Sequence, residues 1–142
     1  MNKFWNFAPW LTRIILLPPT LIFALVASRY LTDPLHAGAA VGLAFSTPLA
    51  LTIARVGFGA FPLGCALFTL SCLVSTRRLL TGLGFVATMI SVALIVRVFG
   101  MLADGTVREN MRLVGAEVVL LVLLSVGLVL ESARRNHLKQ PA

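Results

Sequence analysis

With 58% hydrophobic and 12% charged residues in 142, the chain is too apolar and too short to bury its side chains in a water-soluble core. Soluble domains carry about a quarter charged residues, and small ones keep much of their surface exposed. Its net charge is +7, but the basic residues stand dispersed at the ends of apolar runs, which excludes a nucleic-acid surface and fits a lipid bilayer.

A single membrane domain over 1–142 is expected, with no internal repeat. Its first part, 1–13, sets Trp5, Phe7 and Trp10 beside Lys3 and Arg13, the mixture found at headgroup level. A first span follows over about 14–30, with Pro18 and Pro19 in its first turn or two, where proline is best tolerated. "ALVAS" near the end of that span also reads as a cleavage site for a secretory signal. The tryptophan-rich leader favours a retained anchor.

From Pro34 to Thr76 the only permanently charged residue is Arg55. One unbroken helix there would reach about 60 Å, twice the hydrocarbon thickness. "STP" at 46–48 supplies the break, with Thr47 as cap and Pro48 at the first helical position. The second span is therefore 48–74, with Pro62 as a candidate kink. Residues 31–46 become a small-residue interfacial linker, and 34–47 leave room for a short re-entrant helix.

"STRR" at 75–78 is a tight basic turn leading to a third span over 79–102, closed by Asp104-Gly105. "TVRE" at 106–109 has the spacing of a capping box and opens a fourth span over 107–130. Residues 131–142 read as a solvated basic tail. The expected fold is all-α: an integral membrane four-helix bundle of antiparallel up-down spans. Lys3, Arg13, Arg77, Arg78, Arg134, Arg135 and Lys139 would share one side, against Arg29, Arg108 and Arg112 on the other. That bias predicts both termini in the cytoplasm.

Alternating span directions bring Arg55, Arg97 and Glu117 to a similar depth in the outer leaflet, with Asp104 at the rim. A lone charge there costs about 2.5–3.5 kcal/mol on insertion scales, and arginine is the better carboxylate partner because its planar fork makes two hydrogen bonds. The expected layer therefore clamps Glu117 and leaves one arginine for Asp104, an acidic lipid head or a small anion.

Cys65 and Cys72 stand seven apart on one apolar face and read as buried thiols. With His36 and His137 in separate flanks, no metal or other cofactor is called for. Gly57, Ala60 and Gly64 form a smooth stripe on the second span, and Gly84, Thr88 and Ser91 one on the third, suited to close helix contact. No nucleophile has an adjacent base, which argues against an enzyme.

Asp33-Pro34 after the first span, Arg55 opening a run with Gly57, Gly59 and Gly64, Arg97 with Gly100, Asp104-Gly105, and Glu117 occur together in order. In this the chain, over about residues 11–131, resembles the small four-span membrane proteins grouped as domain of unknown function 4345. The resemblance implies a bacterial-type integral membrane protein without an assigned reaction. The leading expectation is a non-enzymatic protein whose Arg55–Arg97–Glu117 layer organises the bundle and receives an acidic lipid head. Two alternatives stand beside it: a small oligomeric (homo-oligomer) transporter using Glu117 for proton or cation coupling, and a quinone-binding accessory subunit of a membrane oxidoreductase using Phe58, Phe61 and Phe68.

Overall fold

The computed structural model describes the backbone of residues 3–139 and the side chains of 7–138. Trp5 and the side chains of Lys3 and Lys139, read as part of the basic aromatic fringe, lie outside the described side chains, and 140–142 outside the described backbone. The chain forms α1 (Lys3–Thr32), α2 (Pro34–Ala39), α3 (Pro48–Ala54), a π-helical turn (Arg55–Ala60), α4 (Phe61–Val74), α5 (Leu79–Asp104) and α6 (Val107–Lys139). Four stretches are long and apolar enough to cross a membrane: Phe7–Thr32, Pro48–Val74, Leu79–Asp104 and Val107–Leu138. The protein is an all-α four-helix bundle of multi-pass membrane type.

Most helix boundaries follow local chemistry. The Thr47 hydroxyl accepts from the Ala50 amide at 3.1 Å, so Thr47 caps α3 and Pro48 opens it. Asp33 likewise accepts from the His36 amide at 3.1 Å and opens α2, a six-residue helix inside the expected linker. Gly105 closes α5 in the left-handed conformation, with φ 69°.

Three expectations are corrected. The first helix begins at Lys3, so Pro18 and Pro19 lie in its middle rather than in its first turns. The arm of the capping box from Glu109 is not formed: the Thr106 hydroxyl accepts from the Asn110 side-chain amide instead, at 3.2 Å. The fourth helix does not stop near residue 130. Its 33 residues run to Lys139, so the stretch read as a solvated tail is helical through its described part.

Pro62 does more than kink the second span. It lacks an N–H, so the Phe58 carbonyl loses its ordinary helical partner, and its ring crowds that carbonyl. The chain responds with a wider turn just before it, in which the Phe61 amide donates to Val56 rather than to Gly57.

Helix α1 packs against α4, α5, α6, α2 and the π turn, while α4 packs on α5 and α5 on α6. The start of α1, the 75–78 turn and the end of α6 form one end of the bundle, the terminal end, and the other is the loop end. The continuous core lies towards the terminal end: Leu16, Cys72, Leu79, Leu83, Val86 and Leu124, all at most 1% exposed. Both cysteines are buried, as their apolar face predicts.

The glycines that permit close packing are not those of the expected stripes. A Cβ on Gly82 would stand 2.7 Å from Cys72 Cβ and 2.9 Å from Leu16 Cδ2, and one on Gly59 would stand 2.8 Å from Leu31 Cδ2. Gly57, Gly64 and Gly84 have nothing within 4 Å of that position. On the second span it is Gly59, within the widened turn, rather than Gly57 that meets α1, and on the third span it is Gly82 rather than Gly84 that meets its neighbours.

Gly82→Val should therefore overpack the core and cost about 1–3 kcal/mol, read as a lower Tm of the detergent-solubilised protein. Gly64→Ala, placed in open space on a helix, should leave Tm unchanged or raise it.

Candidate functional site: two guanidinium clamps

Helices α5 and α6 run antiparallel across the short Asp104–Thr106 connection, which brings Arg97 level with Glu117. Arg97 Nη2 donates to Glu117 Oε1 at 2.7 Å, and Arg97 Nε donates to both carboxylate oxygens at 3.0 Å. The third nitrogen, Nη1, donates to Asn110 Oδ1 at 3.3 Å. Asn110 in turn donates through Nδ2 to the Thr106 carbonyl at 3.1 Å. The chain Glu117–Arg97–Asn110–Thr106 thus occupies every nitrogen of the guanidinium and both oxygens of the carboxylate.

The other two members of the expected layer do not join it. Arg55 is exposed and makes no side-chain hydrogen bond or ion pair among the described residues, and the same holds for Asp104. Arg55 opens the widened turn, and that turn packs on α1, not against the α5–α6 seam where Glu117 sits. Asn110 completes the network in its place. Its position seven residues before Glu117, two turns along one helix face, was the available signal for that role.

A second clamp, not anticipated from sequence, closes the terminal end. Glu131 is fully buried, with a side-chain exposure of 0%. Arg134 binds it with two bonds, Nη2 to Oε1 at 2.6 Å and Nε to Oε2 at 2.9 Å. Arg135 adds Nε to Oε1 at 3.2 Å and reaches with Nη2 to the Arg77 carbonyl at 2.6 Å. From the opposite side, α1 sends Arg13, whose Nε donates to the Leu73 carbonyl at 3.0 Å and Nη2 to the Thr76 hydroxyl at 3.1 Å.

The last carbonyls of a helix have no partner within it. Here α1 supplies a cation to the last turn of α4, and α6 supplies one to the turn that follows. The spacing of "ESARR" was the missed signal, because residues three and four apart share a helix face. A glutamate followed by two arginines at those distances is a self-contained ion cluster, not a stretch of free charge.

Of the three phenylalanines expected to line a cavity, Phe61 and Phe68 share one groove and Phe58 stands apart from it. Phe58 stacks against Tyr30 of α1, with ring centroids 5.1 Å apart, and Phe68 against Phe85 of α5, at 4.8 Å. A shallow groove of about 400 Å³ between α4 and α5 is lined by Ala60, Phe61, Gly64, Cys65, Phe68 and Phe85. Comparison with family models, curated proteins and solved structures gives no match to this chain.

A double-mutant cycle on Arg97→Gln and Glu117→Gln should return a coupling of about 0.6–1.7 kcal/mol, the range of strong interhelical polar contacts in membrane proteins. Glu131→Gln should destabilise more than Glu117→Gln, since its carboxylate is 0% exposed against 17%. Because Arg134 and Arg135 are 13% and 31% exposed, the loss should fall below the roughly 3–5 kcal/mol of a fully buried pair. Denaturant titration of the purified variants in detergent checks both.

Proposed function

We propose that the chain is a multi-pass protein of a bacterial inner membrane, with both termini cytoplasmic, and belongs with the small four-span proteins that its motifs resemble. It acts as a non-enzymatic membrane component. The Arg97–Glu117 clamp holds α5 to α6, and Arg55 receives an acidic lipid head or small anion in the outer leaflet.

The observation that carries this reading is the different state of the two arginines. Arg97 has all three guanidinium nitrogens engaged within the bundle, whereas Arg55 stands exposed on a stretch apolar enough to cross a membrane. An unpaired guanidinium at that depth is costly unless it reaches the interface and meets an anion. The orientation rests on the basic residues concentrated in the terminal end.

Proton coupling through Glu117 is less well supported, because Arg97 donates to both carboxylate oxygens and a proton carrier would have to break that pair in each cycle. A quinone site among the phenylalanines is less well supported for a parallel reason: Phe58 and Phe68 face different helices.

Reporter fusions to the C-terminus should be fluorescent with a cytoplasm-dependent protein and inactive with a periplasm-dependent enzyme; the reverse would overturn the orientation. Native mass spectrometry of protein extracted from phosphatidylglycerol-containing membranes should show one fewer retained anionic lipid in Arg55→Gln than in the unsubstituted protein. Equal lipid retention in both proteins would remove the role given to Arg55.

A further inference from the structure

The clamp at the terminal end leaves positive charge over. Two guanidinium groups, those of Arg134 and Arg135, hold the one carboxylate, Glu131, while Arg13 binds the end of α4 and the start of the following turn, and Arg77 and Arg78 belong to that turn. Beside them lies a hollow of about 330 Å³ bounded by Thr76, Arg77, Arg134, Arg135 and Leu138. Three of these five residues are arginines, and no acidic residue lines the hollow.

The donors around it are not exhausted. Among the described residues, Arg134 and Arg135 each commit Nε and Nη2, to Glu131 and to the Arg77 carbonyl, and make no bond through Nη1. Thr76 accepts from Arg13 through its oxygen and keeps its own O–H to donate. Arg77 lends the clamp only its backbone carbonyl, so its guanidinium is uncommitted among the described residues. Glu131 holds Arg134 and Arg135 in place, so their free N–H groups are already oriented before any ligand arrives. A preordered fork of this kind suits the several oxygens of a phosphate.

Position narrows the source of that phosphate. The hollow begins where the apolar run of α6 ends at Leu130, and Leu138, an exposed apolar side chain, forms part of its wall. A basic hollow between helix ends, level with the headgroups and edged by apolar surface, is the setting in which anionic headgroups are bound. We propose that this hollow binds the phosphate group of an anionic lipid, with Arg77, Arg134, Arg135 and Thr76 as its donors. This site lies at the opposite end of the bundle from Arg55 and does not depend on the role proposed for that residue.

The test uses the full chain carrying Arg55→Gln, so that the loop-end arginine contributes nothing, solubilised in a neutral detergent. Short-chain phosphatidylglycerol, short-chain phosphatidylcholine and inorganic phosphate are titrated separately, and the saturation of the Tm shift gives each apparent Kd. Phosphatidylglycerol should give a saturable shift, which Arg77→Gln in the same background weakens about fivefold, the contribution of one interfacial arginine. Arg77→Gln spares the backbone carbonyl used in the clamp, and the comparison is of affinities, which a lower starting Tm does not move.

A matching, Arg77-dependent shift with inorganic phosphate alone would identify free phosphate as the source and uphold the phosphate site. An Arg77-dependent shift confined to phosphatidylglycerol would identify the lipid. Equal affinity with and without Arg77→Gln, or equal shifts with phosphatidylcholine and phosphatidylglycerol, or no shift with any of the three, would overturn the proposal.

Discussion

A charge removed from water must meet its opposite, and in this bundle that requirement decides how the helices are turned. Helices that are apolar around most of their circumference have little to distinguish one rotation from another in lipid, where burying a leucine gains almost nothing over leaving it against an acyl chain. Glu117 and Glu131 break that degeneracy on α6. The first must face Arg97 of α5. The second is buried with Arg134 and Arg135, one of which ties α6 to the turn between α4 and α5. With two points about four turns apart each given a bearing, the longest helix of the protein has one orientation available to it.

The core is distributed to match. Its fully buried cluster lies towards the terminal end, where Cys72 and Leu16 close over Gly82. Towards the loop end the packing separates into two groups, one built on α1 with α2 and the widened turn, the other on the α5–α6 seam. Each group has its own short-range device: Leu31 against Gly59 in one, the Arg97 network in the other. The polar seam therefore stands where apolar packing across the bundle is thinnest, and there its contribution to holding the helices together is proportionally largest.

Much of this was legible in the residues themselves. Span number and the edges of the second and third spans followed from uncharged length, from Thr47-Pro48 and from Gly105, all of which act locally. The meeting of Arg97 and Glu117 followed from counting turns on either side of a short connection. Arg55 did not join them, because turn counting gives a depth and not a bearing, and the turn that Arg55 opens packs on α1 rather than on the α5–α6 seam. The start of α1 was missed because the basic aromatic leader was read as headgroup-level chain outside the span, whereas it is helical from Lys3, which leaves Pro18 and Pro19 within a long helix. The second clamp was missed for a different reason. Three charges in five residues resemble a solvated tail by composition, and only their spacing distinguishes an internally neutralised turn from an exposed one.

The widened turn at Arg55–Ala60 also bears on how this chain can change over generations. It holds about one residue more than an ordinary helical turn, equivalent to about 100° of rotation between the segments it joins. Loss of a single codon there would restore the regular repeat without breaking the span. It would swing the Pro48–Ala54 segment around relative to Phe61–Val74, exchanging which side chains meet lipid and which meet α1. Deletions that would be ruinous elsewhere in the span become, at this one place, a dial for the surface the protein shows its neighbours.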